Sequence, residues 1–114
     1  MFRAFALGSD PKTWVLTIDG SVDFGNVPEF QAAFDGLFAK GIYHIILDLE
    51  RVTFIGSAGL GCLLGARDTV LKHSGDLVFA GTNARVREIF DLLGITSFFR
   101  FAPDLGGAVA HLER

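Results

Sequence analysis

Ser57 is the residue of this chain whose surroundings are most suited to chemistry. Residues 54–61 read FIGSAGLG and follow soon after the apolar run IILDL at residues 45–49. This order predicts a buried strand, a tight turn on glycines and then the start of a helix. The first amide groups of a helix have no partner within it, so the site favours negative charge. The spacing therefore predicts Ser57 as a helix N-cap, in a place that also suits a phosphate group.

The other reactive side chains form no recognisable catalytic or metal-binding pattern. The three histidines lack metal-ligand spacing, and the glycines around Ser57 lack the lysine of a phosphate-binding loop. Cys62 lies beside an apolar pair, which predicts a partly buried structural thiol. Asp19 and Asp48 lie near predicted strand ends, where such residues usually bond backbone amides. We therefore predict no enzyme activity, no metal and no cofactor.

The composition of the chain restricts its possible binding partners and its cellular compartment. The chain has 114 residues, a formal net charge of −3 and no block of basic residues, which argues against nucleic acid as a partner. No apolar run approaches the roughly 20 residues that span a bilayer, so we predict no membrane insertion. A single cysteine excludes an internal disulfide, and no signal-peptide pattern is present. These features predict a cytoplasmic protein.

Apolar runs and amphipathic segments alternate along the chain. Five strands are predicted, at residues 2–7, 14–19, 43–49, 77–80 and 98–101. About four helices are predicted, capped by Asn26, by Ser57, by Thr82 or Asn83, and by Pro103 or Asp104. The first two strands are expected to form a hairpin, which makes the sheet mixed. The sequence therefore predicts a single α/β domain over residues 1–114.

Three segments in this order resemble the STAS domain, the domain of bacterial anti-sigma factor antagonists that also occurs in sulfate transporters. The strongest is residues 48–61, DLERVTFIGSAGLG. Residues 20–23, GSVD, resemble a second signature at the end of the second strand. Residues 86–95, VREIFDLLGI, resemble a third in a later helix. The resemblance covers nearly the whole chain and implies the STAS fold.

The resemblance also implies a function as an anti-sigma factor antagonist. Ser57 would accept phosphate from an anti-sigma factor that is itself an ATP-dependent serine kinase. The unphosphorylated form would bind that kinase and free a sigma factor, and a PP2C-type phosphatase would reset the switch. Asp23 would lie in the neighbouring loop and shape the docking surface. The implied partner-binding residues are Asp23, Gly56, Ser57, Ala58, Gly59 and Leu60.

One departure from the family pattern keeps a second function open. Gly56 stands where many members carry an acidic residue or serine, whereas Ala58 is a common variant. The missing side chain at Gly56 bears on recognition by a kinase. The alternative is an accessory subunit of a membrane transport ATPase, or part of a signalling scaffold, in which the Ser57 turn docks without being phosphorylated.

Overall fold

A computed structural model describes residues 2–8 and 10–112. Five strands, four α-helices and one 3₁₀ turn follow one another along the described chain. In order they are β1 (Phe2–Leu7), β2 (Asp10–Val22), α1 (Val27–Ala39), β3 (His44–Ile55), α2 (Ser57–Lys72), β4 (Asp76–Ala80), α3 (Ala84–Leu92), the 3₁₀ turn (Thr96–Phe98), β5 (Arg100–Ala102) and α4 (Leu105–Leu112).

The strands form one mixed sheet in the order β1-β2-β3-β4-β5. β1 runs antiparallel to β2, with Phe2 opposite Ile18 and Ala6 opposite Trp14. β3, β4 and β5 are each parallel to the strand before them. The predicted α/β fold with an N-terminal hairpin and about four helices is therefore confirmed.

Helices cover both faces of the central strands. Buried side chains of α1, α2 and α3, among them Phe34, Leu63 and Phe90, share one large core cluster with the sheet. On the opposite face Ala108 of α4 packs in a smaller cluster that contains Ile46. β3 is thus buried on both sides, as its almost uninterrupted apolar run predicts.

β2 and β3 are longer than their apolar runs. β3 continues to Ile55 rather than ending near residue 49, and β2 continues to Val22 rather than ending near residue 19. Pairing explains the extension, because Ser21 lies opposite Phe54 and Val22 opposite Ile55 in parallel register. Backbone hydrogen bonding between neighbours holds these residues extended although many of their side chains face solvent. As a result, the two strands end together.

The last strand also differs from its prediction. Residues 96–98 form a 3₁₀ turn, and β5 occupies only residues 100–102. Phe99 is buried and stacks on Phe79 at 4.7 Å between ring centroids, so the aromatic run serves the core before the strand begins. Among the described residues, no helix has both the length and the apolar character to cross a membrane.

Candidate functional site

The carboxyl ends of β2 and β3 bring the predicted site residues together. Val22 pairs with Ile55 at the last position of the two strands. One residue later, the backbone N–H of Gly56 donates to the carbonyl of Val22 at 2.8 Å. This bond joins the loop after β2 to the start of α2. Ligand sites of parallel sheets commonly lie at this end of the strands.

Ser57 is the first residue of α2 rather than its N-cap. The N-cap is Gly56, whose backbone is extended at φ −82° and ψ 173° and whose carbonyl accepts from the Leu60 N–H at 3.0 Å. The prediction of Ser57 as N-cap is wrong by one residue, because β3 continues directly into the helix. The Ser57 side chain is exposed. No side chain caps the helix, so its first amides have no side-chain acceptor.

The backbone conformation at position 56 does not require a glycine. Its φ lies in the region open to every L-residue. A Cβ added there would lie 3.5 Å from the Phe54 ring and 3.6 Å from the Val22 carbonyl oxygen, which are ordinary contacts. The position therefore has room for a side chain. Because glycine has no side chain, the backbone of this turn is uncovered beside the Phe54 ring.

Gly59 and Leu60 lie beneath the surface. A Cβ at Gly59 would be 2.8 Å from Cγ1 of Val22, so glycine allows α2 to pack closely on the ends of the strands. Leu60 is 5% exposed and belongs to the main core. Ala58 is half-buried. Of the side chains implied on α2 for partner binding, only Ser57 is fully on the surface.

Asp23 organises the loop that faces the start of α2. Its carboxylate accepts from the Ser21 hydroxyl at 3.1 Å and from the Gly25 N–H at 3.0 Å. Its backbone N–H donates to Oδ1 of Asn26 at 2.9 Å. Asp23 therefore fixes the turn and remains exposed next to Gly56, while its implied role in docking stays a prediction.

Asn26 occupies the predicted N-cap position of α1, but its side chain serves the loop instead of the helix amides. Its Nδ2 donates to the carbonyl of Ser21 at 2.7 Å. The backbone carbonyl of Asp23 accepts from the Val27 N–H at 3.1 Å. These bonds hold residues 21–27 in one arrangement. Phe24 lies in this loop and is 89% exposed.

Sequence reasoning missed two aromatic residues at this end of the sheet. Phe24 and Phe54 are 89% and 49% exposed, although phenylalanine is usually buried. A signal for Phe24 exists in hindsight, since it is a lone aromatic residue between Asp23 and Gly25 in a segment rich in turn residues. Phe54 gave no signal, because its exposure depends on β3 continuing beyond the buried run.

Asp19 and Asp48 lie within strands. Asp48 accepts from the Glu50 N–H at 3.1 Å, which is the local backbone bond expected of it. Asp19 instead lies 3.8 Å from Nη1 of Arg51, its neighbour across the β2–β3 pair. In the part of the chain that the structure describes, no group of His, Cys, Asp and Glu side chains is arranged to hold a metal ion.

Cys62 is buried more completely than the partly buried thiol expected from its neighbours. Burial raises the pKa of its thiol to about 11, with a further contribution from the charge of Asp35. Its Sγ donates to Oε1 of Gln31 at 3.2 Å, which links α2 to α1. A thiol held in this protonated state is a structural group rather than a nucleophile.

Comparison with known proteins defines the class of this fold and site. The family model for the STAS domain matches residues 6–108, so the chain belongs to the STAS domain family. A relative from Bordetella bronchiseptica, named as the anti-sigma factor antagonist BtrV, is 30% identical over 84% of this chain and 83% of its own length. Within the STAS family, the chain thus groups with the anti-sigma factor antagonists.

Solved structures support the same fold. An anti-sigma factor antagonist of Thermotoga maritima superposes with a TM-score of 0.90 at 19% identity, covering 99% of this chain and 95% of that one. The Bacillus cell fate determinant SpoIIAA in its phosphorylated form superposes with a TM-score of 0.74 at 21% identity, covering 97% and 98%. At these identities the likeness establishes the fold alone.

Proposed function

We propose that this chain binds an anti-sigma factor that is a serine kinase, thereby frees a sigma factor, and is switched off by phosphorylation of Ser57. The observation that carries the proposal is the exposed Ser57 hydroxyl at the first turn of α2, on the edge shared with the rigid Asp23 loop. The family supplies the class of partner. A chain that binds a regulator of sigma factors is expected to act in the cytoplasm.

The first turn of α2 suits a phosphorylated serine. A phosphate adds about −1.5 to −2 charges and accepts hydrogen bonds strongly. The amide groups of the first turn lack intrahelical partners, and the helix dipole favours negative charge there. No acidic residue lies in this turn to repel the phosphate. A structural neighbour, SpoIIAA, was itself solved in a phosphorylated form, which is in line with the proposal.

The proposed contact surface follows from exposure. Asp23, Ser57 and the open turn at Gly56 present atoms to a partner, while Ala58 contributes part of its surface. Gly59 and Leu60 support this surface from below by fixing α2 on the sheet. Phosphate transferred to Ser57 comes from ATP bound by the partner, so this chain itself needs no cofactor. A PP2C-type phosphatase removes it.

Intact mass after incubation with ATP and candidate serine-kinase anti-sigma factors from the same genome tests this function. We expect a gain of one phosphate that Ser57→Ala abolishes. Thr53→Ala, which removes another exposed hydroxyl near the end of β3, is the matched control and should be phosphorylated normally. No gain with any candidate, together with stable co-purification with a transport ATPase subunit, would instead support the accessory-subunit function.

Charge substitutions at Ser57 test the switch itself. Ser57→Ala should keep the chain in its binding form, whereas Ser57→Asp and Ser57→Glu should weaken the complex. A coupling of about 3 kcal/mol corresponds to roughly a hundredfold change in affinity. Calorimetric titration of the kinase with each variant measures it. Equal affinity of all three variants would contradict a switch at this residue.

A further inference from the structure

Two exposed phenylalanine residues lie at the edge of the sheet that carries Ser57. Phe24 is 89% exposed in the loop after β2, and Phe54 is 49% exposed just before the turn. A Cβ at Gly56 would lie 3.5 Å from Cε2 of Phe54 and 3.9 Å from Cα of Asp23. The two aromatic residues therefore border the same turn. Exposed aromatic residues of this kind commonly mark an interaction site.

The loop presents Phe24 in a fixed position. The Asp23 carboxylate accepts from Ser21 and Gly25, and the Asn26 side chain bonds the backbone of Ser21 and Asp23. A loop held in this way loses little conformational freedom when a partner covers it. Aromatic anchors at the centre of an interface carry much of its binding energy. Phe24 has the exposure and the support that such an anchor needs.

The charge distribution identifies the chemistry of the complementary surface. The segments that build this edge, residues 13–39 and 52–66, contain no lysine or arginine. Ser57 itself lies between Gly56 and Ala58, and the nearby Asp23 carboxylate already accepts two hydrogen bonds. Around Ser57 the surface is thus apolar, and the Asp23 carboxylate at its margin is its charged group. A partner complementary to it presents an apolar groove that sets no acidic groups against Asp23.

We infer that the anti-sigma factor covers Phe24 and Phe54 with such a groove, and that phosphorylation of Ser57 releases it mainly because the phosphate cannot be desolvated there; this rests on the function proposed above. Closing an apolar contact over a dianion strips its water, and the groove of the partner adds no donors to the amides of the first turn of α2. Repulsion from an acidic partner surface would be a different cause of release. The two causes differ in their response to salt.

Photocrosslinking in cells identifies what lies on this surface. Phe24→p-benzoylphenylalanine and Phe54→p-benzoylphenylalanine are made in a Ser57→Ala background, which keeps the chain unphosphorylated. Leu92→p-benzoylphenylalanine is the control, because Leu92 is 78% exposed on α3. We expect an ATP-binding anti-sigma factor to be crosslinked from positions 24 and 54 and not from position 92.

Several outcomes separate this inference from the proposed function. If an anti-sigma factor phosphorylates Ser57 but neither aromatic position crosslinks to it, the docking surface is wrong and the function stands. Equal crosslinking from position 92 would also overturn the surface. Crosslinking of a transport ATPase subunit from positions 24 and 54 would overturn the function.

Affinity measurements on the purified anti-sigma factor then test the anchors and the cause of release. Phe24→Ala should weaken binding at least about tenfold, and Leu92→Ala less than about twofold. The ratio of dissociation constants between phosphorylated and unphosphorylated chain should be the same at 0.1 M and 1 M NaCl. The Debye length falls from about 10 Å to about 3 Å over this range. A ratio that collapses at high salt would mean that like-charge repulsion, not desolvation, releases the partner.

Discussion

At the start of α2, a glycine occupies the position whose side chain most often satisfies the first amides of a helix. Gly56 has the extended backbone of an N-cap but no group that can accept a hydrogen bond. The consequence is local, because α2 is anchored elsewhere by its buried face. The exposed amides are left to water or to an anion near Ser57. The residue next to the proposed phosphorylation site therefore lacks a stabilising cap that another side chain could provide.

Replacing this glycine should therefore stabilise the chain. Gly56→Ser supplies a capping oxygen and reduces the freedom of the unfolded chain, in a place where a Cβ meets only ordinary contacts. We expect the free energy of unfolding to rise by about 0.5–1 kcal/mol, measured by urea denaturation. Gly56→Ala is the control that adds a Cβ without an acceptor, and it should not stabilise, because alanine is a poorer N-cap than glycine. Equal gains for both variants would show that the cap contributes nothing.

Cys62 gives a prediction that depends on pH. Burial raises the pKa of its thiol to about 11 in the folded chain, whereas an unfolded cysteine ionises near pH 8.5. The stabilising contribution of the neutral thiol is therefore fully present below about pH 8.5 and is lost as the pH rises towards 11. Urea denaturation between pH 8 and 11 should show a steeper loss of stability for the native chain than for Cys62→Ala. Parallel curves would contradict a raised pKa.

At the scale of elements, the glycines of α2 divide into two kinds. Gly59 faces the ends of β2 and β3 so closely that a Cβ would lie 2.8 Å from Val22. Gly61 and Gly65 are exposed, and a Cβ at either position meets nothing within 4 Å. The first glycine sets the distance between helix and sheet. The other two weaken the helix without any packing reason that the structure offers.

These two kinds of glycine should respond oppositely to alanine. Gly61→Ala removes the backbone freedom of an unneeded glycine within a helix and should stabilise by about 0.5–1 kcal/mol. Gly59→Ala should destabilise by about 1–3 kcal/mol, because α2 must move away from the strand ends. Thermal denaturation monitored by circular dichroism compares the two variants directly. A stabilised Gly59→Ala variant would mean that α2 can shift outward at no cost.

At the scale of the whole molecule, the two ends of the parallel strands carry different features. The carboxyl ends of β2 and β3 carry Ser57 and its loop. At the amino ends, Nη1 of Arg100 donates to Asp76 at 2.8 Å and to Nε2 of His111 at 3.0 Å, which ties α4 to β4 and β5. A rigid sheet lies between the two ends. We therefore expect a change at one end of the sheet to leave the other end in place.

Phosphorylation should accordingly leave the fold unchanged. We expect amide chemical shifts in NMR spectra of the phosphorylated chain to change at residues 21–27 and 54–60 and to stay constant in α4. As a control, Arg100→Ala should perturb α4 and leave Ser57 an equally good kinase substrate, because this exposed ion pair contributes at most about 1 kcal/mol. Shifts that spread from the phosphate into α4 would contradict a purely local switch.

The sequence predicts the elements well where local pattern decides them. The helical spacing of Phe30, Phe34 and Leu37 and the buried run of β3 carry most of the information on the core. Asn83 caps α3 as one of the two predicted alternatives, accepting from the Val86 N–H at 2.9 Å. Patterns of this kind depend on residues that are close in the sequence. They can therefore be recognised without knowing which distant segments pack against them.

What the sequence did not predict depends on contacts between distant segments. The length of β2 and β3 follows from their pairing, and that pairing moves the helix start so that Gly56, not Ser57, is the cap. Leu60 reads as a surface neighbour of Ser57 but turns inward on the helix. The exposure of Phe24 and Phe54 likewise follows from where the strands end. These features set the shape of the candidate surface.

One bond from this edge has a consequence beyond the single chain. The link between the Gly56 N–H and the Val22 carbonyl uses main-chain atoms only, so it forms whatever side chains surround it. The residues that border it at positions 24, 54 and 56 are therefore free to diversify without loss of the scaffold, whereas Asp23 is needed for the bonds that hold its loop. Gene duplication can exploit that freedom. Several proteins with this fold can then act in the same cell, and each binds its own partner because a few surface side chains differ.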